Sequence, residues 1–163
     1  MEIKKSKPRT YYPAFINIQD KRCVVVGGGE VALRRVRMLL HCGGRVTVVS
    51  PAIHPELACL AEDGVIQYIN REYEPQDIRG TVIIVAATEV EDMNRKIARE
   101  ARKIGVFVNV VDDPKESDFI VPSFFQRGGL VIAISTSGKS PALARKIRTK
   151  LEMDFGEEYE VLV

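Results

Sequence analysis

The sequence predicts an α/β protein in which helices cover both faces of a parallel sheet, a doubly wound arrangement. Short apolar runs rich in β-branched residues alternate with longer segments of helical spacing. Runs of this kind are typical of parallel strands that are buried on both faces. The first run leads directly into a glycine turn and a helix, which is the order that opens such folds. Past Pro114 the alternation ends, and Arg127-Gly128-Gly129 predicts a hairpin.

Composition limits the class of protein. The 163 residues include 45% hydrophobic and 28% charged residues, which suits one compact domain, or one domain with a small appendage. A net charge of +2 does not indicate nucleic-acid binding, and no apolar run reaches transmembrane length. We therefore expect a cytoplasmic protein without nucleic-acid or membrane partners. Neither the three cysteines nor His41 and His54 have metal-ligand spacing, so no metal site and no disulfide framework are expected.

The elements follow in order along the chain. Apolar side chains at Tyr12, Phe15, Ile16 and Ile18 predict a lead-in segment packed against the sheet edge. Strands are expected over 23–26, 45–49, 65–69, 81–87 and 106–111. Helices are expected from Val31 to about Gly43 and over 55–62 and 92–104.

The remaining chain predicts a small second region. Hairpin strands are expected over 119–126 and 130–135, and Ser140-Pro141 opens a helix that continues through Leu151. Residues 152–160 look like an acidic tail. This gives a domain over 1–113 and a region over 114–163 that is too small to fold alone. We expect that region to dock on the first domain or on a second copy of the chain.

The glycine turn predicts a dinucleotide site of the Rossmann type. Residues 27–32 form a Gly-x-Gly-x-x-Ala pattern between a strand and a helix. A turn without side chains lets backbone N–H groups and the helix N-terminus approach a pyrophosphate. The cofactor-binding residues expected here are Gly27, Gly28, Gly29, Glu30 and Val31. The alternative is a tight turn that binds nothing.

Four further cofactor contacts, at Ser50, Pro51, Thr88 and Asn109, are expected where the strands end. Ser50 and Pro51 stand after the second strand, where dinucleotide folds usually place an acidic residue on the ribose. A serine can bind a ribose hydroxyl but does not repel a 2′-phosphate, so Ser50 leaves NAD and NADP open. It could equally be a turn residue. Thr88 follows the fourth strand at the edge that the cofactor would pass.

The end of the fifth strand carries the expected chemistry. Asn109, Asp112 and Asp113 bring an amide and two carboxylates to the mouth of the same crevice. Oxidation by a nicotinamide removes a hydride and a proton, so a carboxylate beside the substrate is a reasonable proton acceptor. A turn or cap role is the alternative for either aspartate.

The loop before the last helix predicts a helix N-cap, whose free N–H groups could still bind an anion, rather than a nucleotide-binding loop. Ser137-Gly138-Lys139-Ser140 lacks the first glycine of a phosphate-binding P-loop, since Ala133 stands in its place. We interpret it as a helix N-cap. The helices after the glycine turn and after Ser140 are basic, through Arg34, Arg35, Arg37, Arg145, Lys146, Arg148 and Lys150. Such faces are usually solvated, or they recognise a polycarboxylate.

At six blocks the chain resembles the siroheme synthase N-terminal family, the precorrin-2 dehydrogenases that in some members are also sirohydrochlorin ferrochelatases. The blocks, in order, are Tyr12-Pro13 with Phe15, residues 25–32, 86–88 and 109–114, Phe119-Ile120-Val121-Pro122-Ser123, and residues 135–144. The resemblance implies NAD-dependent dehydrogenation of precorrin-2 to sirohydrochlorin, with Asp112 matching the family's essential aspartate. It also implies a homodimer formed through the hairpin and last helix. The family's C-terminal helical region is expected to be mostly absent.

The resemblance also places the substrate. Its carboxylates are expected at Ser123 and at the loop hydroxyls and cation of Ser135, Thr136, Ser137, Lys139 and Ser140. A rival interpretation from another class is a non-catalytic NAD-sensing module whose hairpin region transmits dimer geometry.

Overall fold

A computed structural model describes residues 10–162, with side chains through Glu160. The chain divides into two compact units. The sheet unit is Ala14–Phe119, and the hairpin unit combines residues 10–13 with the chain from Ile120 on. The sheet unit therefore includes six residues that lie beyond the predicted boundary at residue 113.

The sheet unit contains five parallel strands in the order β3-β2-β1-β4-β5. The strands are β1 Arg22–Val26, β2 Arg45–Val49, β3 Gln67–Ile69, β4 Ile83–Ala86 and β5 Phe107–Val110. The helices are α1 Glu30–His41, α2 Pro55–Glu62 and α3 Glu91–Lys103, and a 3₁₀ turn covers Pro75–Ile78. The strand order reverses between β1 and β4, which opens a crevice beyond their carboxyl ends. The predicted doubly wound fold is confirmed.

The core lies in two layers, one on each face of the sheet. One layer packs α1 and α2 against the sheet through residues such as Leu33, Val36 and Leu57. The other packs α3 through Ile97, Ala98 and Ala101. The alternation of side chains along each strand supplies both layers, and this explains the continuous apolar runs of the sequence.

The predicted lead-in segment is only partly confirmed. Ile18 is buried in the layer below α1 and α2. Phe15, in contrast, is 75% exposed, so the prediction that it packs on the sheet edge was wrong. Tyr12 belongs to the other unit, and its packing on the sheet edge stays a prediction. The Ile18 carbonyl accepts from the N–H of Lys21 (3.0 Å), so the chain turns into β1 just after this single anchor.

The hairpin unit consists of β6 Ser123–Arg127, β7 Leu130–Ile134, α4 Pro141–Asp154 and α5 Tyr159–Leu162. β6 and β7 pair antiparallel. The acidic tail is not simply an extension, because Phe155 contacts the rings of Phe125 and Tyr159. A Cβ on Gly128 would lie 2.7 Å from the Glu160 carbonyl oxygen, so the tail also lies against the hairpin turn.

The first hairpin strand begins four residues later than predicted. The N–H of Asp118 donates to the Val108 carbonyl (2.8 Å), and the Asn109 side chain donates to the Phe119 carbonyl (3.0 Å). The residues before Ile120 therefore lie along β5. Phe119, whose apolar side chain fits the pattern of a hairpin strand, packs in the core of the sheet unit instead.

Candidate dinucleotide-binding and catalytic crevice

The glycine turn is held by close backbone contacts. A Cβ on Gly27, which has φ +119°, would lie 2.3 Å from the Ala87 carbonyl oxygen. A Cβ on Gly28 would lie 2.0 Å from the Ala52 carbonyl oxygen. Side chains at these two positions are excluded by the loops after β4 and β2. Gly29 is different, because the space around its Cβ position is open.

The N-terminus of α1 is free of side-chain caps. Gly29 is the N-cap residue, and the first intrahelical bond runs from the N–H of Leu33 to its carbonyl (3.0 Å). The N–H groups of Glu30 and Val31 consequently have no acceptor within the helix. Partial positive charge and unpaired donors at an open glycine turn fit a pyrophosphate. The residues present thus fit the dinucleotide that the sequence predicts.

The loop after β2 is fastened to this turn. The N–H of His54 donates to the Gly28 carbonyl (2.7 Å), and His54 Nδ1 accepts from the N–H of Glu56 (3.2 Å) at the start of α2. His54 Nε2 lies 3.5 Å from a Glu30 carboxylate oxygen. Sequence reasoning missed His54. Its position just before Pro55 at a helix start was the available signal.

Ser50 has a structural role in the same loop, where it is followed by the exposed Pro51. Its hydroxyl donates to the Ala52 carbonyl (2.7 Å), and its N–H donates to the Ile69 carbonyl (3.2 Å). The side chain is mostly buried. The turn interpretation of Ser50 therefore has a physical basis, and the ribose contact of Ser50 and Pro51 stays a prediction.

Thr88 is tied to α3 through a residue that the sequence did not single out. The Thr88 hydroxyl donates to Asn94 Oδ1 (2.8 Å), and Asn94 Nδ2 donates back to the Thr88 carbonyl (2.9 Å). Asn94 is buried. This exchange fixes the backbone after β4, next to the contact with Gly27.

β5 contributes a buried acceptor that has no partner among the described residues. Asn109 is 6% exposed, and its Nδ2 donates to Phe119. Its Oδ1 is buried and has no partner among residues 10–160. A buried acceptor without a donor is costly, so this amide oxygen is a candidate contact for a bound ligand.

Asp112 stands two residues beyond β5 with an exposed side chain. Its φ of +60° lies in the left-handed region, which aspartate and asparagine tolerate better than most residues. Its neighbour Asp113 acts differently, since Asp113 Oδ1 accepts from the N–H groups of Lys115 (2.9 Å) and Glu116 (3.3 Å). The turn alternative holds for Asp113, whereas Asp112 is exposed and none of the described hydrogen bonds uses its carboxylate.

The loop behind Asp112 is fixed by Ser117. Ser117 Oγ accepts from the N–H of Val110 (2.9 Å) and lies 2.9 Å from the Asp113 carbonyl oxygen. Asp118 Oδ2 accepts from the N–H of Val108 (3.1 Å). Side chains thus take the place of a sixth strand along β5, and they brace the turn that carries Asp112.

The strand registers bring the sheet-unit residues together. Val26 pairs with Val49 and with Ala86, and Ala86 pairs with Val110. Each of these strands ends at the same edge of the sheet. The residues that follow the strands, namely Gly27, Ser50, Thr88 and Asp112, therefore share that edge. Pyrophosphate, ribose and reacting group would be distributed along that edge.

The predicted substrate residues belong to the hairpin unit, where Ser123 begins β6. Ser135 Oγ accepts from the N–H of Ser137 (3.0 Å), and Thr136 Oγ1 accepts from the N–H of Ser140 (2.9 Å). The N–H of Lys139 donates to the Thr136 carbonyl (3.1 Å). Ser140 Oγ accepts from the N–H of Leu143 (3.2 Å), which confirms the predicted N-cap of α4.

Comparison with known proteins gives a consistent result. The model of a family described as putative NAD(P)-binding matches residues 14–123, and one described as sirohaem biosynthesis protein central matches residues 127–153. Siroheme synthase 1 of Aeromonas salmonicida strain A449 is 49% identical over 142 residues, which are 87% of this chain and 30% of that protein. Siroheme synthase of Methylobacillus flagellatus is 44% identical over 140 residues, 86% of this chain and 30% of that protein.

A solved structure of SirC, precorrin-2 dehydrogenase, superposes with a TM-score of 0.75 at 27% sequence identity. The match covers 92% of this chain and 74% of SirC. The chain spans about 30% of the length of the curated relatives it matches. The resemblance to the siroheme synthase N-terminal family is confirmed by these matches. Since the first family model covers more than half of the residues, the chain belongs to the putative NAD(P)-binding family.

Proposed function

We propose that this chain catalyses the NAD-dependent dehydrogenation of precorrin-2 to sirohydrochlorin, with Asp112 as the proton acceptor. The observation that carries the proposal is the exposed Asp112 carboxylate on the same sheet edge as the uncapped glycine turn. The names of the relatives and of the structural match, siroheme synthase and precorrin-2 dehydrogenase, support the same reaction. They favour an enzyme over an NAD-sensing module.

Each part of the crevice has a role in this proposal. Gly27 to Gly29 and the N–H groups of Glu30 and Val31 hold the pyrophosphate. NAD, when bound, supplies the hydride acceptor. Asn109 Oδ1 accepts a hydrogen bond from the bound ligands, because it is buried and has no other partner among the described side chains. The Asp112 carboxylate takes the proton that the substrate loses together with the hydride.

Arg71 supports NAD as the cofactor. In dinucleotide folds a 2′-phosphate is accommodated by an arginine near the end of the second strand. Arg71 follows β3, whose Ile69 carbonyl accepts from the N–H of Ser50. Its guanidinium is held by both carboxylate oxygens of the buried Asp77 (2.7 and 2.9 Å). An arginine engaged in this way is not available to a 2′-phosphate.

Further parts of the proposal concern substrate binding and dimer formation by the hairpin unit. The hydroxyls of Ser123 and of the Ser135–Ser140 loop, with Lys139, would bind substrate carboxylates. A homodimer through β6, β7 and α4 is supported by the exposure of Leu143 and Met153 on α4. None of the described helices is both long and apolar enough to cross a membrane.

Replacing Asp112 with asparagine tests the proposal. Asparagine tolerates the left-handed backbone, so the fold and the NAD affinity should stay unchanged while the proton acceptor is lost. Turnover of precorrin-2 under anaerobic conditions, followed by NADH absorbance, should fall by about 100-fold or more. The control is Asp113→Asn, whose Oδ1 can still accept from Lys115 and Glu116, so its turnover should stay near that of the wild type. Full turnover by Asp112→Asn would remove Asp112 from the mechanism.

A further inference from the structure

Three arginines on α1 differ in their surroundings. Arg37 forms an ion pair with Glu56 of α2. Arg34 is exposed. Arg35 is half-buried, and within residues 10–160 no acceptor lies at hydrogen-bond or ion-pair distance from its guanidinium. The guanidinium donors of Arg35 are therefore available to a ligand, and charged groups that lose solvent are normally paired.

The helix geometry gives the direction in which Arg35 points. The buried face of α1 carries Ala32, Leu33, Val36 and Leu39. At about 100° per residue, Arg35 and Arg37 lie on opposite flanks of that face. The ion pair with Glu56 shows that the Arg37 flank faces α2. Arg35 therefore lies on the flank that faces away from α2, toward β4 and β5.

The carboxyl end of β5 meets α1 on that flank. Val111 and Phe119 pack against the same apolar layer as α1. Asp112 follows Val111 directly, which brings its carboxylate toward Arg35. The two charges interact electrostatically. Burial and the neighbouring Arg34 lower the pKa of Arg35, and the Asp112 carboxylate opposes that shift. The two groups nevertheless do not form an ion pair, so the guanidinium donors of Arg35 have no carboxylate partner among the described residues.

We propose that Arg35 binds a carboxylate of the substrate and so orients the reacting carbon toward Asp112. A guanidinium presents a planar fork of donors that matches a carboxylate, and partial burial strengthens that bond. The ligand class is a polycarboxylate, which is what a tetrapyrrole with acidic side chains offers. The inference rests on the proposed function for its reaction, but its binding step can be measured separately.

The experiment compares Arg35→Gln, Arg35→Lys and the control Arg34→Gln in the whole chain. Uroporphyrin, a fluorescent porphyrin with eight carboxylates, serves as the binding probe. Losing a charged hydrogen bond should weaken its binding to Arg35→Gln by about tenfold or more. Arg35→Lys should recover part of the affinity, and Arg34→Gln, which removes the same charge from the exposed face, should bind like the wild type. NAD affinity and thermal stability should be the same in all variants.

Turnover separates orientation from a merely structural role. In Arg35→Gln the KM for precorrin-2 should rise more than kcat falls, whereas a folding defect would lower the active fraction and leave KM unchanged. Equal losses of uroporphyrin affinity in Arg34→Gln and Arg35→Gln would overturn the inference, because they would indicate general attraction by a basic helix. Failure of the wild type to bind uroporphyrin would overturn it as well.

The outcomes also distinguish the two proposals. If the wild type binds NAD and uroporphyrin but does not turn over precorrin-2, the proposed function fails. Selective loss of uroporphyrin binding in Arg35→Gln would then still establish the carboxylate site. If turnover is normal in the wild type and in Arg35→Gln, the function stands and the Arg35 site is wrong.

Discussion

Gly27 and Gly28 are required for two reasons that act together. The predicted reason is that backbone must approach a pyrophosphate. The structure adds a second, since each glycine touches a carbonyl oxygen of another loop, Ala87 for Gly27 and Ala52 for Gly28. The motif could be found in the sequence because its three positions are adjacent. The loops that press on it could not, because they lie far away along the chain.

Gly28→Ala should destabilise the protein, because its methyl group would meet the Ala52 carbonyl at 2.0 Å. The carbonyl would have to move, and the bond from His54 to Gly28 would be strained. We expect a loss of about 1–3 kcal/mol in the free energy of unfolding, measured by urea titration.

Gly29→Ala is the matched control for this substitution. Its φ of −83° is allowed for alanine, and the space around it is open. Stability should stay within about 0.5 kcal/mol of the wild type. NAD affinity should fall, because the new methyl group occupies the approach to the helix N-terminus. Equal stability of the two variants would contradict the packing argument.

At the scale of elements, the end of β5 shows where sequence reasoning succeeded and where it failed. The strand and the polar residues after it were predicted from their pattern. The return of residues 117–119 along β5 was not, since Phe119 fits the apolar pattern of a hairpin strand equally well. The path of residues 117–119 is determined by the side-chain hydrogen bonds of Ser117 and Asp118 to the β5 backbone. Hydrophobic periodicity carries no information about these bonds.

Ser117→Ala should loosen this turn. It leaves the buried N–H of Val110 without its acceptor, which costs about 1–3 kcal/mol. Urea titration should show that loss, and precorrin-2 turnover should fall because Asp112 is less well held. Asp118→Asn is the comparison, since an amide oxygen can still accept from Val108 while the charge opposite Arg102 is lost. That partly exposed pair should contribute less than about 1 kcal/mol. Equal effects of the two substitutions would show that the Ser117 bonds do not brace the turn.

At the scale of the whole molecule, the alternation of strands and helices was sufficient to predict the parallel sheet. It was not sufficient to predict which of the three arginines of α1 would face β5 and bind a substrate carboxylate. The choice follows from the strand order and from the Arg37–Glu56 pair, which fix the flank of α1 that faces β5. Those facts depend on residues distant in sequence, and Arg35 was therefore grouped with a solvated face.

Cys23 provides a measure of global opening, because it is fully buried in β1 whereas Cys42 and Cys59 are exposed. Burial, together with the nearby Cys42, raises the pKa of Cys23 to about 11. At pH 8 a thiol reagent should modify two cysteines rapidly and the third only as fast as the protein unfolds. Equal rates for all three would contradict the placement of Cys23 in the core.

The same thiol gives stability a pH dependence with a definite sign. The native pKa is higher than that of the unfolded chain, about 8.5, so the unfolded state loses its proton first. The contribution of Cys23 is complete below the unfolded pKa and is lost as the pH rises through about 11. Cys23→Ala should flatten the decline in unfolding free energy over this interval, measured by urea titrations at a series of pH values.

The side chains that line β5 have a consequence for association between molecules. A sheet grows when the free N–H and C=O groups of its outermost strand pair with a strand from another chain. Here the N–H groups of Val108 and Val110 are already bonded to Asp118 and Ser117, and the Val108 carbonyl accepts from Asp118. An incoming strand would have to displace these bonds before it could form its own. The turn that holds Asp112 therefore also protects the β5 edge against aggregation.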